Sequence, residues 1–182
     1  MRIDSSWLPR IEGVGLASGR DRLLGWLGVL LAVLSAIRIH SGGVGMGSYG
    51  LVFLSTLLGS ATIFFPAPNI AVLVAHANTL DPLLLFVVGG LGWGLGELTG
   101  YMAGRAGTLQ ASWRFAHLFA SPSSQRLLLF AWAAVPNPVF DAIGILSGSL
   151  KVPASRFVGC VVAGRIVNAS IVVALSRAIL GM

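Results

Sequence analysis

Two acids and one arginine stand inside otherwise apolar runs of this sequence: Glu97 in LGWGLGELTGYMAGR, Asp141 in VPNPVFDAIGILSG and Arg165 in VVAGRIVNAS. An ionisable group near the centre of an apolar helix costs about 2.5–3.5 kcal/mol on insertion scales, and is kept where it meets a counter-charge, a cavity or a pathway. Arginine holds its charge under essentially all conditions. Arg165 must therefore pair with Asp141 or Glu97, snorkel to the surface, or bind an anionic ligand, and a phosphate suits its fork of donors. Asn168 shares its helix face. Asp141 follows Pro138 by three residues, at the start of a new helix, where the macrodipole favours an acid by about 0.3–1 kcal/mol. That does not offset burial at depth, so water, a counter-ion or a proton must help.

Trp93, Glu97, Tyr101 and Arg105 recur every fourth residue and share one helix face. Beside them runs a second row, Gly92, Gly96, Gly100 and Gly104, which lets another backbone come close. Gly144 and Gly148 extend the face of Asp141 in the same way. Asn69 and Asn137 are the polar residues of two proline-rich turns, FFPAPN and PNP. His76, two turns beyond Asn69, reads as a satisfied core residue rather than a proton carrier. The candidate pathway residues are thus Asn69, Glu97, Tyr101, Arg105, Asn137, Asp141, Arg165 and Asn168.

The elements that position them follow from composition. Of 182 residues 55% are hydrophobic and only 10% charged, against roughly 25% charged in soluble proteins. So few charges cannot cover a water-facing surface, and several apolar runs approach the ~20 residues that span a bilayer. The net charge of +6 then marks inner-leaflet loops rather than nucleic-acid affinity. Cys160 is alone, so no intramolecular disulfide forms. His40, His76 and His117 are scattered, and the sequence holds no GxSxG, HExxH or P-loop. No metal, cofactor or enzymatic activity is expected.

The expected architecture is an all-α integral membrane protein: a basic cytoplasmic segment over 1–22, then a single membrane domain over 23–182. Residues 23–39 read as an uncleaved first span, 82–104 as a second and 156–176 as a last. The segment 105–126 carries Arg105, Arg114 and Arg126 with no acid, and suits a helix lying on the inner leaflet. Placing both basic segments inside makes the blocks 49–80 and 127–150 begin and end on the same side. Each becomes a re-entrant hairpin, tipped by Pro66 and Pro68 or by Pro136 and Pro138. Arms of about fourteen residues reach roughly 20 Å, into the bilayer without crossing it. The first hairpin enters from outside and the second from inside, giving an inverted repeat, which points to a midplane site between broken helices.

With these residues in view the chain resembles the DedA/VTT family of membrane proteins, also called SNARE-associated Golgi protein-like. The resemblance covers residues 50–178 and rests on FFPAPN, on GLGWGLGELTGYMAGRAG and on PNPVFDAIGILSGSLKVP followed by Gly164-Arg165. It implies facing re-entrant hairpins in an inverted repeat, in a multi-pass protein of a bacterial-type inner membrane. It also implies movement of phospholipids or polyprenyl-phosphate carriers across the bilayer, with dependence on the proton motive force. The expected function is translocation or scrambling of an anionic lipid, whose headgroup meets Arg165 and Arg105 while Asp141 and Glu97 tune the cavity or titrate. The alternatives are a proton-coupled transporter of a small solute and a non-transporting assembly or membrane-homeostasis protein.

Overall fold

The computed structural model describes residues 45–61, 67–107, 119, 121–136 and 140–181, together with Leu23, Leu27, Leu30, Leu31, Val33, Leu34 and Ile37. Every regular element among these is helical. The seven early positions are helical, and all but Leu31 are exposed; the rest of the expected first span, 23–39, lies outside the described residues. The segment 1–22, most of 105–126, Pro66, Asn137 and Pro138 lie outside the described residues.

Seven helices follow in order: α1 (Met46–Ser60), α2 (Ala67–His76), α3 (Pro82–Gly96), α4 (Leu98–Arg105), α5 (Pro122–Ala134), α6 (Phe140–Ser149) and α7 (Ala154–Leu180). Their starts are written locally. Asp81 Oδ1 accepts the Leu84 amide at 3.0 Å and Pro82 opens the first turn of α3, where its missing N–H costs nothing. Ser121 and Ser124 cap α5 reciprocally, again followed by a proline. Between α6 and α7 the Val152 amide reaches Ser147 O and the Lys151 amide reaches Gly148 O. This closes a Schellman turn, with Lys151 in the left-handed position at φ 55°.

Two stretches are long and apolar enough to cross a membrane, Pro82–Arg105 with 24 residues and Ala154–Leu180 with 27. The first was expected as one uninterrupted span. Its hydrogen-bond pattern is interrupted at Glu97 alone, whose amide bonds back to Leu95 O and whose backbone stays right-handed helical at φ −63° and ψ −14°. Glycines at 90, 92, 94 and 96 contribute little helix propensity just before that point, so a local interruption is cheap. The exposed faces are apolar: Leu83, Met102, Leu175 and Ile179 stand outward, while Ser55, Thr56, Asn69, His76, Glu97, Arg165 and Asn168 are buried. Such a distribution suits a lipid surround, where outward residues need no water and inward polar groups find one another. Inward hydroxyls bond the carbonyl four residues back, as in Thr56 to Val52, Ser147 to Ile143 and Ser176 to Val172.

Packing is organised around the two long stretches. A Cβ on Gly90 would meet the backbone of Ile166 and one on Gly94 that of Val162, so α3 and α7 run antiparallel with backbones in contact. On α3, Gly92 faces Phe53 and Thr56 while Gly96 faces Leu57 and Ser60, so α1 lies parallel beside it. Gly164 of α7 faces Phe130 and Ala133 in the same way, which places α5 parallel beside α7. Helix α6 lies on α4, with Gly104 against Ile145 and Gly148 against Tyr101. Helix α2 lies against α7, where Arg177 donates to Ala77 O at 2.6 Å and Leu80 O at 3.0 Å.

The glycine row therefore serves two surfaces rather than one. Gly92 and Gly96 admit α1, Gly104 admits α6, and Gly100 has only Asp141 O and Ile145 Cγ1 nearby, at 3.8 and 4.0 Å. Gly144 likewise has room, its nearest neighbour at 3.7 Å. The tightest contacts between the long helices fall on Gly90 and Gly94, outside the row.

Candidate functional site

Arg165 lies near the middle of α7, and its Nη2 donates to Glu97 Oε1 at 2.6 Å. Both side chains are almost wholly buried, 3% and 4% exposed. Of the two acids open to it on sequence, Arg165 thus takes Glu97. The turn between α3 and α4 presents Glu97 to it, and Gly94, one turn earlier, lets α7 come close enough.

The guanidinium lies over two aromatic rings. Its carbon stands 4.5 Å from the Trp93 ring centroid and 4.4 Å from that of Phe140. Cation–π contacts of this kind contribute about 2 kcal/mol or more when desolvated. Trp93 belongs to α3, one turn before Glu97; Phe140 opens α6, one residue before Asp141. The Asp141 carboxyl lies beside that of Glu97, near enough for each to act on the other. The site therefore combines one guanidinium, two carboxyl groups and two aromatic faces, drawn from α3, α6 and α7.

Its donors are not all used. Arg165 Nε and Nη1 have no acceptor among the described residues, and Asn168 Oδ1 has no donor. Asn168 Nδ2 reaches Ala133 O at 3.2 Å, near the end of α5. A buried donor without an acceptor carries a desolvation cost of about 1–3 kcal/mol, more when charged. An oxygen-rich ligand beside Arg165 would relieve it.

Asn69 is buried beside the same cluster. With its amide oriented to suit its neighbours, Oδ1 accepts from Ser60 Oγ at 2.7 Å and from Trp93 Nε1 at 3.2 Å, and Nδ2 donates to Thr56 O at 3.3 Å. It fixes the ring on which Arg165 rests. Tyr101 and Arg105 stand apart, toward the end of α4. Arg105 Nη1 donates to Tyr101 Oη at 2.9 Å, and that hydroxyl donates to Val152 O at 2.6 Å. Tyr101 stacks on Phe157 with centroids 4.7 Å apart, and Arg105 is exposed. It does not join Arg165. His76 is buried with Nδ1 on Val72 O at 2.7 Å, as a core histidine should be. Pro136 is exposed at the end of α5 and Pro68 lies in the first turn of α2.

Phe140 and the role of Trp93 were missed as site residues. Trp93 carried a signal, its fourth-residue spacing to Glu97. Phe140 carried none, because its meeting with Arg165 joins positions 25 apart across the α6–α7 turn. No protein-family model, curated protein or solved structure matches this chain.

Proposed function

We propose that the chain is a multi-pass membrane protein that moves a phosphate-bearing lipid across the bilayer, with Arg165 as the headgroup ligand. The observation that carries this reading is a buried guanidinium, over the rings of Trp93 and Phe140, whose Nε and Nη1 have no acceptor among the described residues. Phosphate oxygens supply what those donors lack. The DedA/VTT resemblance points to the same chemistry.

The packing supports two re-entrant hairpins in an inverted repeat. The Asp81 amide donates to Tyr49 Oη at 3.1 Å, so the chain returns at α3 to the level where α1 began. Arg156 donates to Gln125 Oε1, which closes the second block in the same way at the opposite end of the bundle. Helices α2 and α6, with ten residues each, are too short to cross a bilayer. Contacts also exchange between halves. Arg177 reaches Leu80 O directly, and Arg105 reaches Val152 O through Tyr101; positions 105 and 177, like 80 and 152, are 72 apart. The same interval relates Gly90 to Val162 and Gly94 to Ile166, which contact each other crosswise. It also relates Trp93 to Arg165 and Asn69 to Asp141, and an inverted repeat would have the charged cluster on its axis.

Arg105, Arg126, Lys151 and Arg156 gather at one end of the bundle with no acid among the described residues there. That end suits the cytoplasmic leaflet. The nearness of two carboxyl groups, Glu97 and Asp141, favours a second reading on the same scaffold, a proton-coupled carrier of a small phosphorylated solute.

The test is reconstitution of the full chain in liposomes carrying acyl-labelled fluorescent phospholipids, read by dithionite quenching of the outer leaflet. Quenching that proceeds past the outer-leaflet half, and stops there with Arg165→Gln, is the expected result. Half-quenching with the wild-type chain, beside a scrambling positive control, would overturn lipid movement.

A further inference from the structure

Four cations stand at the end of the bundle where α6 turns into α7, with no acid among the described residues beside them. Arg105 reaches Val152 O through the Tyr101 hydroxyl, and Lys151 precedes Val152 in the turn. Tyr101 stacks on Phe157, next to Arg156, whose Nη1 donates to Gln125 Oε1. Arg126 follows Gln125 on α5. Arg105 and Arg156 are thus held by a phenol and an amide, neither of which cancels a charge. From residue 98 to the last, the one acid is Asp141, in the buried cluster. Segment 1–22 holds three acids against four arginines, so it brings no negative balance.

Helix ends explain half of this charge. Arg105 closes α4 and Lys151 stands just past α6, where C-terminal dipoles favour cations. Arg156 lies in the first turn of α7 and Arg126 just past that of α5, where the dipole favours acids instead. Lys151 also keeps a left-handed backbone, φ 55°, at a position that glycine usually takes. Deeper along the same helices the outward residues are apolar: Met102 before Arg105, and Leu127 and Phe130 after Arg126. A partner for this surface carries negative charge at the rim and apolar chains below it. A lipid has both; a soluble anion or an acidic soluble protein does not.

We infer that this end of the bundle holds a resident anionic lipid with two phosphodiester groups, the chemistry of diphosphatidylglycerol. One phosphate meets Arg105 and Lys151, the other meets Arg126 and Arg156, and acyl chains lie along Met102 and Leu127. Basic surfaces where helices meet the leaflet are suited to such headgroups. The site is separate from the Arg165 cluster and does not depend on lipid being moved. Its occupant ties the ends of α4 and α6 to the starts of α5 and α7.

The experiment uses the full chain in detergent with equal amounts of diphosphatidylglycerol, phosphatidylglycerol and phosphatidylethanolamine, and counts retained lipid by native mass spectrometry. Diphosphatidylglycerol should be retained at least about five-fold above phosphatidylglycerol, a difference of about 1 kcal/mol at 25 °C, with phosphatidylethanolamine last. Equal retention of all three overturns the site, and equal retention of the two anionic lipids overturns the two-phosphate assignment. Lys151→Gly removes a cation yet suits the left-handed backbone, so without lipid it should melt at or above wild type. Combined with Arg126→Gln it takes one cation from each pair, and should bring the ratio of the two anionic lipids toward unity. An unchanged ratio in that double variant overturns the assignment. Arg165→Gln locates the lipid: retention as in wild type supports the rim, whereas its loss in a folded variant puts the lipid in the buried cluster and overturns the rim site. Displacement by an equal concentration of pyrophosphate identifies a soluble ligand and overturns the lipid.

Discussion

Trp93 of α3 and Arg165 of α7 stack across the line where the two long helices cross, the guanidinium carbon 4.5 Å from the ring centroid. The indole is held in turn by Asn69 Oδ1, 3.2 Å from Nε1. A residue at the start of α2 therefore sets the surface on which the central charge rests. Asn69→Ala removes the acceptor for the indole N–H, at about 1–3 kcal/mol for a stranded buried donor, while the Ser60 hydroxyl keeps Thr56 O at 2.9 Å. The measurement is thermal unfolding in detergent. Asn69→Ala should melt below wild type, and an unchanged midpoint would show that this donor finds an acceptor elsewhere.

The glycines separate into those that hold helices together and those that do not. A Cβ at Gly94 would stand 2.7 Å from Val162 Cα, and the helix backbone there has no room to yield. Gly94→Ala should therefore push α3 from α7, and overpacking of this kind typically costs about 1–3 kcal/mol. Gly159 meets nothing within 4 Å. Gly159→Ala should be neutral or add up to about 1 kcal/mol through helix propensity. Equal melting of the two variants would mean that α3 and α7 do not touch at Gly94.

Helix positions, the outward apolar faces and the buried charges could be read from periodicity and residue type alone. Arg165 and Glu97 stood out because a charge in an apolar run demands an opposite. Which acid Arg165 takes could not be read, since Glu97 is 68 residues away and Asp141 only 24. The answer depends on how α3 crosses α7, and that crossing is set at Gly90 and Gly94. The four-residue glycine row drew attention away from those two. Its members meet different neighbours, Gly92 and Gly96 facing α1 and Gly104 facing α6. Phe140 was hidden for a similar reason: an aromatic at a helix start in an apolar sequence looks like core until its ring is seen over a guanidinium.

The hairpin reading has a topological consequence. Tyr49 and Asp81 meet at one end of the bundle, and Gln125 and Arg156 at the other. In a Cys160→Ser background, Gly45→Cys and Thr79→Cys should react with an impermeant maleimide from the outer face of intact cells. Ser123→Cys and Lys151→Cys should react only after the membrane is opened. Opposite accessibility of positions 45 and 79 would require α1 and α2 together to cross the bilayer, and would end the inverted arrangement.

The ion pair itself is open to a double-mutant cycle. Arg165→Gln leaves Glu97 buried opposite an amide and removes the cation from the Trp93 and Phe140 rings. Glu97→Gln leaves Arg165 charged with a still poorer set of acceptors. Breaking one side of a buried pair costs about 3–5 kcal/mol, because the survivor is stranded. With both changes made, two amides face each other and neither member of the pair is left charged opposite a neutral partner, while Asp141 keeps an amide neighbour in place of Glu97. The double variant should therefore lose less stability than the two single losses together, by about 0.5–3 kcal/mol, the range for residues in direct contact. Additive losses would mean that the two charges do not meet in the folded chain. Lipid transfer gives an independent readout. If the pair were only architecture, the double variant should transfer lipid in proportion to its folded fraction. If Arg165 is the phosphate ligand, the double variant regains stability and still transfers nothing, because glutamine has one amide where the phosphate needs a charged fork.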